Sequence, residues 1–316
     1  MKIKRLFPLL LITPLVACSK APIEKRFFLF DTAISITLND GEKSYLNDVG
    51  SLLTTYNELS DNYLKRNVTN VYSINQTNED IEISPELYNL LKVSFDSKNI
   101  GATYFNPLCG SLAKKWKKAL KNQQILDENT KNAEVLKINN SSLLFKNNNV
   151  VQRVGEAEID LGGIVKGYVL DEIYNYLNSK QTKRYLINCG TSSILVGEKN
   201  NKTGLFNVGL KDVKNAYIQV KNCFVSSSGV ATQGVVIDSQ MYSHIVNPVT
   251  GDAINENDGV VVISDKGYVG DVLSTSMMLN SVEEIKTIEK EQGVKTIVIK
   301  DNKIVYHNEG IEIKYH

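Results

Sequence analysis

The chain reads as an α+β protein, one compact unit with two lobes, mixed sheets and packed helices. Three observations carry that reading. Helical and strand patterns of apolar residues both recur along its length. The 316 residues are 42% hydrophobic and 22% charged, ordinary globular proportions with enough apolar surface for a large core in one or two domains. No internal repeat and no strong linker breaks the chain after residue 25. The net charge of +1 gives no electrostatic reason to expect nucleic acid as a partner.

The N-terminus stands apart from the fold. Lys2, Lys4 and Arg5 precede an apolar stretch, Leu6 to Val16, which is interrupted by Pro8 and Pro14 and is too short to span a bilayer. It ends in Leu15-Val16-Ala17-Cys18, which resembles a bacterial lipobox. On that reading residues 1–17 are a signal peptide, Cys18 becomes the lipidated first residue, 18–25 are a tether, and 26–316 form the working domain. The mature protein then sits outside the cytoplasmic membrane, held by acyl chains rather than by a helix. The remaining cysteines, Cys109, Cys189 and Cys223, cannot all pair with one another and have no metal-site spacing, so they read as small buried hydrophobes.

The elements follow in order. Phe27 to Leu38 alternates as a strand. Lys43 to Leu64 carries Leu46, Val49, Leu52, Leu53, Tyr56, Leu59 and Tyr63 at helical spacing. Ser84-Pro85-Glu86 reads as an N-cap, a first-turn proline and an acid, opening a helix to about Lys98. Gly101 to Gly110 is a loop, and Ser111 to Leu120 a helix bearing the only tryptophan, Trp116. Ser142 to Val154 predicts two strands around an Asn-rich turn. Ile164 to Leu177 is an amphipathic helix. Arg184 to Gly197, Leu205 to Val225 and Val260 to Ile263 read as strands. Asp271 to about Leu279 and Ser281 to Glu291 are helices, and a hairpin closes the chain.

Four constellations carry candidate chemistry. In "IDLGGIVKG", Asp160, the Gly162-Gly163 pair and Lys166 stand where a helix begins. Helix N-terminal amides attract anions, glycine lets backbone approach a ligand, and lysine meets phosphate as a point charge. A tight strand-to-helix turn with a solvated lysine explains the same residues. Asp271 and Thr275 lie on one helix face, hard oxygen donors suited to Mg²⁺ or Ca²⁺, or else an N-cap and a threonine bonded to a carbonyl. His244, before a tight Asn-Pro-Val-Thr-Gly turn, is an acid–base candidate or a structural histidine. The polar loops "NCGTSSILVG" and "VSSSGVATQG" supply hydroxyls and bare amides to a ligand, or are plain hairpin turns.

The ordered set resembles the ApbE family, the FAD:protein FMN transferases. "FDTAISIT" looks like its first strand and "TYFNPLCGSLAKKW" resembles its F-D-P-x-x-G-x-L segment. "IDLGGIVKGYVLD" is close to D-L-G-G-I-A-K-G-Y-x-x-D. "VSSSGV", "SHIVNPVTG" and "GDVLSTSMM" resemble the T-S-G loop, the H-I-x-D-P-x-T-G loop and the A-D-A-L-S-T helix. The resemblance implies an ApbE-like domain, related to the T-fold. It also implies a reaction in which the FMN half of FAD moves, with Mg²⁺, onto a Ser or Thr hydroxyl of an exported or membrane redox protein, releasing AMP. By resemblance Asp271, Thr275 and the Gly163 carbonyl bind Mg²⁺, while Asp160, Gly162 and Lys166 shape the phosphate site. His244 acts as base or orienter. Asn188, Gly190, Thr191, Ser226, Ser227, Ser228 and Gly229 hold the nucleotide.

The chain departs from the family pattern at three places. Asn106 and Asn247 replace aspartates, and Thr191 replaces a glycine. Asparagine forms turns as well as aspartate does, so the first two are expected to be turn residues. Two rivals share much of this site. An FAD pyrophosphatase would need the same groups, with water as nucleophile. A flavin-holding lipoprotein without chemistry would not need Asp271 and Thr275 together.

Overall fold

The computed structural model describes residues 21–316 except 191, 231–233 and 254. The lipobox and Cys18 lie outside the described residues, as does Thr191. The described residues open with a hairpin, β1 (Ile23–Leu29) and β2 (Thr32–Leu38), where the sequence reading has one strand. Phe30 and Asp31 both take positive φ, 52° and 55°, and these left-handed residues reverse the chain in the middle of the apparent strand. Helix α1 (Lys43–Leu59) stops short of the expected Leu64. The Asp61 carboxylate accepts the amides of Tyr63 (2.8 Å) and Leu64 (2.9 Å), a local turn that competes with helix continuation.

A short helix α2 (Val71–Asn75) and strand β3 (Asp80–Glu82) follow, neither marked by periodicity. Helix α3 (Pro85–Asp96) opens as the sequence implies, with the Ser84 hydroxyl accepting from the Leu87 amide, and ends in a 3₁₀ turn, Ser97–Ile100. Helix α4 (Gly110–Lys121) buries Trp116, whose indole N–H donates to the Gly251 carbonyl at 2.7 Å. Helix α5 (Glu128–Asn139) escapes apolar patterning because it turns polar residues inward. Lys131 pairs with Glu128 and Asp252, and Glu134 with Lys115 and Lys137.

Strands β4 (Ser142–Phe145) and β5 (Val150–Val154) flank the predicted Asn turn, where Asn148 and Asn149 have positive φ. Then come α6 (Val165–Ser179), β6 (Tyr185–Cys189), β7 (Ser193–Val196), β8 (Phe206–Gly209), β9 (Ala216–Val220) and β10 (Cys223–Gly229). Residues 226–229, expected in a loop, are the end of β10, paired with β13 (Gly259–Ser264) from Ser226↔Val262 to Gly229↔Gly259. Between those strands lies a small hairpin, β11 (Val235–Ile237) and β12 (Gln240–Tyr242). Helix α7 (Gly267–Met277) begins four residues before the expected start, so Asp271 is inside the helix and is not its N-cap. Helix α8 (Val282–Gln292) carries a capping box between Ser281 and Glu284. The predicted hairpin β14 (Lys295–Lys300) and β15 (Lys303–His307) and a short β16 (Lys314–Tyr315) complete the chain.

The result is α+β. Eight strands form one sheet in the order β1-β2-β6-β7-β10-β13-β14-β15. Its recorded pairings are antiparallel, so the mixing lies in the layers, helices against sheet. On β13, Val260 and Val262 join the core beneath α1, α6 and α7, while Val261 faces the other way. There it meets Val208, Leu210 and Ile218 of the small sheet β16-β9-β8 and the segment after β8. Both faces are covered, which is why β13 reads as a continuous apolar run. Burial pushes the thiols of Cys109, Cys189 and Cys223 up to about 12, keeping them protonated at neutral pH. Among the described residues no helix is long and apolar enough to cross a membrane.

Candidate active site

The site is assembled where α6 and α7 cross. Gly167 and Gly267 meet backbone to backbone: a Cβ on either would sit 2.2 Å from the other's carbonyl oxygen. That approach admits no side chain and brings the Asp271 carboxylate against the first turn of α6. Its Oδ2 accepts the Gly167 amide at 2.6 Å, and its Oδ1 accepts the hydroxyls of Ser193 (2.7 Å) and Ser226 (2.8 Å). Burial pushes this carboxyl above its usual range, while Lys166 and the three donors pull it back down.

One consequence is local and chemical. α6 starts at Val165 after Ile164, so the Gly167 amide is one of the first-turn donors that have no acceptor within the helix. Asp271 satisfies that donor, and the Gly163 carbonyl, just outside the helix, has no hydrogen-bond partner among the described residues. Gly163 itself is packed near Thr275, whose hydroxyl is 3.4 Å from where a Gly163 Cβ would be, and near the Phe105 ring at 3.1 Å from that same point. A buried carboxylate with spare lone pairs, a hydroxyl and an unpartnered carbonyl are all hard oxygen donors. That set suits Mg²⁺, which takes few protein ligands and completes its shell with water and phosphate. Among the described residues no three His, Cys, Asp or Glu side chains cluster, so a thiolate or imidazole cage is not what the site offers.

These groups face a cleft of about 1000 Å³, large enough for a dinucleotide-sized ligand. Asp160, Gly162, Gly163 and Lys166 line it on the α6 side. The Asp160 carboxylate accepts the Gly162 amide at 2.7 Å, so it holds the turn before the helix. Lys166 makes no ion pair or hydrogen bond among the described residues and so keeps its ammonium available. Asn188 and Gly190 line the wall from the β6–β7 turn. Gly190 is needed there: its φ is +67°, and a Cβ would sit 2.1 Å from the Thr32 hydroxyl. Ser227, Ser228 and Gly229 line it from β10, with Ser228 Oγ 3.1 Å from Ser274 Oγ and 3.4 Å from Thr275 Oγ1. Ser226 does not line it. It is 1% exposed and its hydroxyl serves Asp271, because strand alternation points it away from the neighbouring Ser227.

His244 lines the cleft just after β12 and is open to it, yet the walls strip it of bulk water. That desolvation, with the ammonium groups of Lys166 and Lys117, lowers its pKa to about 4 and keeps the imidazole neutral at pH 7. Asn106 and Asn247 are turn residues: Asn106 Oδ1 accepts the Leu108 amide, and Asn247 Oδ1 accepts those of Val249 and Thr250. Sequence reasoning missed Lys117 and Asp212. Lys117 stands one residue after Trp116 on a lysine-rich helix and had no distinguishing signal. Asp212 lines the cleft beside Gly229, with one buried carboxylate oxygen that has no partner among the described residues. It also missed a near-repeat, Lys166–Asp171 (KGYVLD) and Lys266–Asp271 (KGYVGD), which starts the two crossing helices.

The model of the ApbE family matches residues 30–298 of this chain. A Klebsiella pneumoniae (strain 342) protein named FAD:protein FMN transferase is 24% identical over 293 residues, covering 87% of this chain and 88% of that protein. A Treponema pallidum (strain Nichols) protein of the same name is 25% identical over 255 residues, covering 73% and 70%. Among solved structures, the ApbE protein of Thermotoga maritima superposes with a TM-score of 0.76 at 22% identity, over 93% of this chain and 97% of that one. The flavin transferase ApbE from Vibrio cholerae gives 0.73 at 19%, over 92% and 98%. With the family model spanning the crossing helices, the cleft and most of the large sheet, the chain belongs to the ApbE family.

Proposed function

We propose that this chain transfers the FMN moiety of FAD to a Ser or Thr hydroxyl of an extracytoplasmic redox protein, with Mg²⁺ and with release of AMP. The observation that carries the reading is the oxygen-donor set of Asp271, Thr275 and the Gly163 carbonyl beside the N-terminus of α6 and Lys166, which has no ion pair among the described residues. The names of the relatives support flavin transfer as the reaction class.

The chemistry balances simply. The acceptor oxygen forms a bond to the FMN phosphorus, the bond from that phosphorus to the bridging oxygen breaks, and the electron pair leaves with AMP. When bound, Mg²⁺ would neutralise charge developing on the pyrophosphate. The protein's own groups do the rest. Lys166 attracts the phosphates as a point charge. Asp160 fixes the Gly162 turn that brings backbone close. Neutral His244 accepts a hydrogen bond from the incoming hydroxyl, orienting it or taking its proton. Ser193 and Ser226 hold the Asp271 carboxylate in one orientation.

Membrane attachment through a lipidated Cys18 is part of the same proposal. It is supported by the basic start, the short apolar stretch and Leu15-Val16-Ala17-Cys18.

The test mixes the domain from Ser19 onward with FAD, Mg²⁺ and a protein domain bearing a Ser/Thr acceptor, then reads the acceptor's intact mass and released AMP. A mass gain of one FMN phosphoryl group with Mg²⁺-dependent AMP supports the transferase. AMP and free FMN with an unmodified acceptor support a pyrophosphatase instead. Turnover of FAD that survives Asp271→Ala unchanged would remove the metal-site reading.

A further inference from the structure

The two crossing helices exchange carboxylates. Neither has a side-chain cap of its own: Ile164 precedes α6 and Lys266 precedes α7, and neither side chain accepts an N-terminal amide. Asp271 of α7 accepts the Gly167 amide in the first turn of α6. In return Asp171 of α6 accepts two amides at the start of α7, Gly267 at 2.7 Å and Tyr268 at 2.9 Å. The two aspartates end the near-identical hexapeptides KGYVLD and KGYVGD, and the glycines of those hexapeptides are the ones in contact. The pair therefore has a local two-fold character, with each helix capped by the aspartate that ends the other's hexapeptide.

The two aspartates differ in what remains to them. Asp271 faces the cleft and contributes to the donor set, whereas Asp171 does not line the cleft and spends both oxygens on α7. We propose that Asp171 is a positioning residue for the metal donors: by fixing the start of α7 against α6, it sets where Asp271 and Thr275 meet the Gly163 carbonyl. The far end of α7 is held separately, by the Asn257 amide donating to the Met277 and Asn280 carbonyls. Loss of Asp171 would loosen the end that leads into Asp271 while leaving the end beyond Thr275 tethered, so the two side-chain donors would lose their fixed relation. The proposal rests on the Mg²⁺ reading given above.

The test measures Mn²⁺ binding to the full chain by electron paramagnetic resonance, with the thermal midpoint followed in parallel, for wild type, Asp171→Ala, Asp171→Asn and Ser281→Ala. Asp171→Ala should weaken Mn²⁺ by about tenfold or more, as outer partners of metal ligands commonly do. Asp171→Asn keeps one acceptor oxygen and should fall between, and it remains informative if the alanine variant does not fold. Ser281→Ala breaks the α8 capping box, so it lowers the midpoint without moving Mn²⁺ affinity. Folded Asp171 variants with wild-type Mn²⁺ affinity would overturn the proposal. So would a Ser281→Ala variant that loses affinity in step with its midpoint. Failure of the wild type to bind Mn²⁺ would instead bring down the metal reading itself, and this proposal with it.

Discussion

Replacing Gly167 by alanine sets two known effects against each other. In an ordinary helix interior the change stabilises, by up to about 1 kcal/mol, because glycine loses more backbone entropy on folding. Here the new methyl would lie 2.2 Å from the Gly267 carbonyl oxygen and 2.8 Å from the Asp271 carboxyl carbon. Non-bonded heavy atoms prefer roughly 3.5 Å, so the helices must part by about 1 Å. Overpacking of that kind costs about 1–3 kcal/mol. The same displacement stretches the 2.6 Å bond from the Gly167 amide to Asp271, and a hydrogen bond to a charged group is worth about 1.5–3 kcal/mol. The clash side wins, with a net loss of roughly 1.5–5 kcal/mol, and at about 1.5 °C per kcal/mol for a chain of this length the midpoint falls by several degrees. Differential scanning calorimetry of Gly167→Ala beside Gly209→Ala decides it. A Cβ at Gly209 meets nothing within 4 Å, so that control should melt close to wild type. A Gly167→Ala protein that melts at or above wild type would refute the close helix crossing on which the site is built.

Other consequences are as direct. Gly190→Ala combines a left-handed φ of +67° with a contact at 2.1 Å to Thr32, so it should destabilise by about 1–3 kcal/mol in urea melts. An NMR titration should find His244 with its midpoint depressed to about 4, and Lys117→Met should raise it by removing one repelling charge. Because the folded value lies below the unfolded one of about 6.5, this group's contribution to stability is complete above the unfolded value and is lost as pH falls through the folded one. Asn106→Asp and Asn247→Asp keep the turn acceptor oxygens, so both should melt within about 0.5 kcal/mol of wild type.

Much of this architecture was legible from side chains that act locally. Ser84-Pro85-Glu86 and Ser281 with Glu284 announce helices through bonds made within one turn. Asn148-Asn149 and Asp301-Asn302 announce hairpins through their tolerance of positive φ. What was not legible depends on partners far along the chain. Helix α7 starts at Gly267 because Asp171 caps it from 96 residues away. Helix α5 hides because its inward face is satisfied by ion pairs rather than by apolar contact. The hairpin at Phe30-Asp31 is masked because the turn residues continue the apolar alternation. At the site, Gly163, Asp271 and Thr275 could be named by resemblance, but the role of Ser226 could not. A serine in a run of three shows its orientation only once strand pairing is known.

The glycine crossing also fixes when the site can exist. Gly167 and Asp271 are 104 residues apart in sequence, and the amide of one reaches the carboxylate of the other only after β6 through β13 have formed between them. A chain cut or stalled before α7 has the Asp160–Gly163 turn but lacks both Asp271 and Thr275. The donor set thus depends on non-local contacts, each with a loop to close before it forms. A chain translocated before folding would therefore cross without a working site.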